Sequence, residues 1–209
     1  MSKSIRHRIF SNISSLTWLA GAALLIMASD RLAHAIVVTG ALVWVYCLSS
    51  LIAHARAKTF PLLIRPTLTA FLASFAAGLY LLLLWIFSPL CALETFFVIL
   101  FVPVVCMVSD IFKRLENVSS GEAISASCSE ALIVGAFIIC FAIIREPLGF
   151  GSLSLPGGAQ GIVLLFSSHT ESFLPIRLIA SSSGALLLLG YCLGLYRYFK
   201  SANAQEENQ

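Results

Sequence analysis

Charge is what this sequence has least of. Only 11 % of its 209 residues are Asp, Glu, Lys or Arg, less than half the roughly 25 % of an ordinary soluble domain. With 59 % hydrophobic residues, the chain lacks the polar surface of a water-soluble globule, and it is too apolar for a disordered tail. The net charge is only +3 and its basic residues are scattered, which excludes a nucleic-acid partner. The six cysteines make no CxxC pair and no zinc spacing. Most lie in apolar runs, where they read as small buried hydrophobes rather than as disulfides. His7, His34, His54 and His169 are scattered and match no HExxH pattern. No GxSxG elbow, serine–lysine dyad or Walker loop occurs. Ser181, Ser182 and Ser183 precede Gly184, a set of small residues that suits close helix packing.

What the chain does have is long apolar runs punctuated by charge. At about 20 residues per membrane span, they predict six helices: residues 13–29, 32–53, 66–87, 95–109, 123–144 and 178–196. Lys3, Arg6 and Arg8 precede the first run. The charge-free run from Ile9 to Ser29 is long for the apolar region of a signal peptide and has no clear A-x-A site, so it reads as a retained helix. Asp30 and Arg31 close the first span, Ser88 and Pro89 turn the chain after the third, and Arg145 and Glu146 close the fifth. Lipid leaves backbone groups no partner outside a helix, so the fold class is an all-α membrane protein. Residues 1–200 form one domain and 201–209 a polar tail.

Basic residues set the orientation. With the N-terminus in the cytoplasm, Lys3, Arg6, Arg8, Arg56, Lys58, Arg65, Lys113, Arg114, Arg197 and Lys200 lie inside, and Arg31, Arg145 and Arg177 outside. Both termini are then cytoplasmic, in an inner membrane. The long outer loop, 147–174, is rich in glycine and carries an apolar patch at 162–166. That patch is too short to span and reads as an interfacial or re-entrant segment. The first span is barely long enough, and the fourth is short and interrupted by Pro103. Short or broken helices in matching places predict a 3+3 inverted repeat. Glu130 lies inside the apolar fifth span, where a carboxylate is costly and a candidate for binding a cation or passing protons. Asp110 ends the fourth span and reads as a boundary charge.

The stretch Ile144-Arg145-Glu146-Pro147-Leu148-Gly149-Phe150-Gly151-Ser152-Leu153 resembles the Rnf/Nqr family of membrane subunits. The D-type subunit of Nqr and the E-type subunit of Rnf carry a similar R-E-x-x-G-x-G-T-L after their fifth helix. Pro103 followed by Arg114 and Glu116, and Glu130 followed by Gly135, are also similar to that pattern. The resemblance implies six helices in an inverted repeat with a cytoplasmic N-terminus. It implies a subunit, inactive alone, of a complex that couples electron transfer to ion movement. Its partners would be sister membrane subunits and flavin- or iron–sulfur-carrying subunits. The family also implies an iron–sulfur cluster held between sister subunits by one cysteine in helix 1 and one in helix 4. The matching positions here are Ala22 and Ser109, and neither supplies the thiolate such clusters need. Cys106, one turn before Ser109, is the nearest stand-in. Two alternatives stay open: a substrate-binding membrane subunit of a vitamin importer, and a degenerate subunit kept for assembly.

Overall fold

The computed structural model describes residues 15–57, 64–109, 120–158, 161–167 and 177–206. The described chain is mostly helical: α1 (Ser15–Ala28), α2 (Leu32–Ala57), α3 (Arg65–Phe87), α4 (Pro89–Val108), α5 (Ser120–Phe150), β1 (Ser152–Pro156), β2 (Ile162–Ser167), α6 (Arg177–Ala180) and α7 (Ser182–Glu206). Four helices, α2 to α5, are long and apolar enough to cross a membrane. Helix α1 has 14 residues, and the apolar part of α7 is Ser182–Gly194.

Helix α2 is the centre of the bundle. Of its span 61 % is buried, against 17 % for α3. It packs on α5, α3 and α4, while α1 packs mainly on α4. Side chains of α2 such as Val38, Leu42, Val45 and Tyr46 join Ile99 and Val102 of α4 and Ile138 of α5 in one core. At the α2–α5 crossing, a Cβ on Gly135 would overlap the methyl of Thr39, so the two backbones meet where only glycine fits. The outer faces of α3 and α4 are apolar: Phe71, Phe75, Leu82, Trp85, Ile86 and Phe97 are exposed. Contiguous exposed apolar surface of this kind belongs against lipid or protein.

Several expectations change. Helix α4 is neither short nor broken: it runs unbroken for 20 residues with Pro103 inside it. Pro89 sits at its first position, where proline's missing N–H is no loss, and Ser88 alone separates it from α3. Ser88 N donates to Leu84 O (2.7 Å), and Ser88 O accepts from Ala92 N (3.0 Å), so one residue closes α3 and opens α4. Helix α5 continues through Pro147 to Phe150. It ends at Gly151, whose φ of 65° lies in the left-handed region that suits glycine after a helix; its N–H donates to Pro147 O (2.9 Å). The fold is not purely helical. The patch at 162–166, expected as an interfacial or re-entrant segment, forms strand β2, paired antiparallel to β1 with Leu155 opposite Val163. Residues 201–206 of the expected tail belong to α7.

The ends of α1 and α4 match in sequence and in geometry. Met27-Ala28-Ser29-Asp30 follows the same pattern as Met107-Val108-Ser109-Asp110. Ser29 N donates to Leu25 O at 3.0 Å, and Ser109 N donates to Val105 O at 3.1 Å. Both serines are fully buried.

Candidate functional site

Among the described residues, buried polar side chains collect at two places. The first is the end of the bundle that carries the hairpin. Arg145 and Glu146, expected as boundary charges, are each only 1 % exposed. A helix leaves its last four carbonyls and first four N–H groups without partners. Arg145 and Glu146 satisfy several of these. Arg145 Nη1 donates to Ile26 O (3.2 Å), near the end of α1, and to Ser29 Oγ (2.9 Å). Its Nε donates to Ile179 O (3.0 Å), and Nη2 donates to Ala180 O (2.9 Å) and Ser181 O (3.1 Å), at the end of α6. The planar fork of arginine serves two helix ends at once, which the point charge of lysine does not. Glu146 Oε2 accepts from Leu32 N (2.7 Å), placing a carboxylate at the N-terminus of α2, where the helix dipole favours it. Ser154 Oγ accepts from the next N–H, of Ala33 (3.4 Å). The Arg-Glu pair thus fastens the α1–α2 turn to α5 and α6, and Ser154 fastens it to the hairpin.

The hairpin is held from the other side by α4 and the turn before it. Ser88 Oγ donates to Gly158 O (2.5 Å), and the Cys91 thiol donates to Gly161 O (3.3 Å). Beside it His34 bridges Asp30 and Glu94, with Nδ1 2.9 Å from Asp30 Oδ1 and Nε2 2.8 Å from Glu94 Oε2. Burial pushes the Asp30 carboxyl up. The hydrogen bond and charge of His34, the Arg31 N–H and the charge of Arg145 outweigh it, so its pKa lies below the usual value. Sequence reasoning missed this bridge, because His34 and Glu94 lie on different helices.

The second place is the α2–α4–α5 crossing. Glu130 is only 6 % exposed, in the third turn of α5. It lies close enough to Cys106 of α4 to act on the thiol electrostatically, and Ser49 of α2 lies beside the same thiol. Cys47 of α2 and Cys128 of α5 meet nearby. Ser109 is buried at the end of α4 and donates its hydroxyl to Cys106 O (2.7 Å). Ala22 is half-buried on α1 and carries no donor atom. A cluster needs thiolates, and these two residues do not fit one. Among the described residues, no three His, Cys, Asp or Glu side chains converge as metal ligands. Asp110, Lys113, Arg114, Glu116, His7 and His169 lie outside the described residues.

The Met-x-Ser-Asp match is the sequence signal that would have pointed to Ser29 as a structural counterpart of Ser109. No protein-family model matches the chain, and no curated protein matches it.

Proposed function

We propose that this chain is an integral membrane subunit of an ion-translocating electron transport complex of Rnf/Nqr type, inactive alone, with Glu130 on the ion path. The observation that carries the reading is Glu130 itself. It is an acid buried in an apolar helix, at a place where the resembled subunits also have an acid. Intramembrane carboxylates are kept for function far more often than for stability. Two further features support it. The Arg145-Glu146 pair and the glycines after it, which carry the resemblance, form the joint that fastens two helix ends. The matching ends of α1 and α4 are what a 3+3 inverted repeat requires, with α1 and α2 in one half and α4 and α5 in the other. The basic residues favour cytoplasmic termini in an inner membrane.

Ala22 and Ser109 favour a second reading, a subunit retained for assembly, because neither supplies a thiolate to an electron path. Glu130→Gln separates the two. It removes a charge at nearly constant volume. The ion-path reading expects the variant complex to assemble normally and to lose about a hundredfold or more in ion-coupled turnover, the range assigned to one positioned acid or base. A complex that assembles and pumps at the wild-type rate would leave only the assembly role.

A further inference from the structure

We propose that Asp30, His34 and Glu94 form a proton-binding site that ties α4 to the α1–α2 turn while the proton is bound. Both ring nitrogens of His34 sit at hydrogen-bond distance from carboxylate oxygens, 2.9 Å to Asp30 and 2.8 Å to Glu94. A neutral imidazole has one N–H and donates once. Two carboxylate acceptors therefore call for a second proton on the ring.

The turn brings Asp30 and Arg31, α4 brings Glu94, α5 brings Arg145 and Glu146, and α6 opens with Arg177. The described residues of α1, of the end of α3 and of the hairpin bring none. Asp30 and Glu94 are the carboxylates bonded to the ring, so the His34 proton is what faces both of them. Arg145 is bonded to the helix ends, and the Arg31 guanidinium lies 5.5 Å from the centre of the Phe150 ring.

Water reaches the site through the carboxylates. The His34 side chain is 11 % exposed, while those of Asp30 and Glu94 are 40 % and 48 % exposed. When the ring loses its proton to water it keeps one N–H. Asp30 lies one helical turn away on the same connection and is also fixed by the Arg31 N–H (2.8 Å). Glu94 belongs to another helix, so the bond across helices is the one that breaks. Glu94 is in the second turn of α4, just after Ser88, which holds the hairpin through Gly158 O. Proton loading at His34 thus sets how firmly the α3–α4 turn and the hairpin are held, whatever the chain transports.

Hydrogen exchange of the full chain in nanodiscs, read by mass spectrometry and corrected for intrinsic rates, tests this over about pH 5 to pH 9, the range in which histidine changes charge. The expected result is a fall of about tenfold in protection of residues 88–95 through one single-proton step, the size of one charge-assisted hydrogen bond. His34→Gln and Glu94→Gln should lack the step and show low protection throughout. Flat wild-type protection, or an undiminished step in His34→Gln, would overturn the proposal. Nitrogen-15 NMR of histidine-labelled wild-type chain gives a check that needs no variant to fold. The His34 ring should carry hydrogen on both nitrogens on the acidic side of the step and on one beyond it. A ring that is neutral over the whole range would overturn the proposal.

Discussion

Arg145 shows how much one buried residue does here. Taking a guanidinium out of water costs several kcal/mol unless its donors are met. Its fork is met by four backbone carbonyls and a hydroxyl on two separate helix ends. Arg145→Ala removes every one of those donors and leaves the carbonyls of Ile26, Ile179 and Ala180 short of a partner. We expect a loss of about 3 kcal/mol or more, read as a large drop in Tm in detergent. Arg145→Lys keeps the charge but not the fork, so its Tm should fall between the two. A wild-type Tm for Arg145→Ala would mean that the two helix ends do not depend on it. Asp30 gives a pH signature. Its carboxyl titrates below the usual value in the folded chain, so its ionised form contributes stability above the unfolded value of 3.8. That contribution is lost as pH falls through the lower folded value. Asp30→Asn should therefore be less stable than wild type at neutral pH, and the gap should close in acid. An equal gap at pH 7 and in strong acid would contradict the assignment.

At the scale of elements, the α2–α5 crossing sets the rest of the bundle in place. Gly135 lets the helices approach at Thr39, and further along the crossing Cys47 meets Cys128. Dibromobimane, which bridges thiols only when they are neighbours, should link these two cysteines in the intact chain. Replacing either by serine should abolish the bridge. Failure to cross-link in the wild type would place the helices in another register. Much of this level is legible in the sequence, and the parts that are not have physical reasons. Charge-free runs gave the helices, and Ser88-Pro89 gave a turn, because each is a local property. Strand β1 had a local signal too, since Ser152-Leu153-Ser154-Leu155 alternates as a half-buried strand does. Its partner, Ile162 to Phe166, is apolar throughout and hid the period. Pro103 looked like a break in α4, yet a proline-bearing helix continues where its surroundings absorb the lost bond. The bridges from Arg145 to Ile26 and from His34 to Glu94 join distant parts of the chain, and no local pattern announces them.

At the scale of the whole molecule, the described residues make an apolar bundle with a polar end at the hairpin and an acid-bearing helix crossing. Exposed aromatic and aliphatic side chains cover α3 and α4, and four helices are fit to span a bilayer. The proposed function makes this bundle one subunit of a larger complex, and that is the claim to test. The most direct measurement is purification of the tagged chain from its native membrane in mild detergent, followed by mass spectrometry and flavin and iron analysis of what comes with it. The account predicts stoichiometric sister membrane subunits together with flavin- and iron–sulfur-carrying proteins, all lost when the chain is deleted. A chain that purifies alone, or with an ATP-hydrolysing importer module and no flavin or iron, would contradict it.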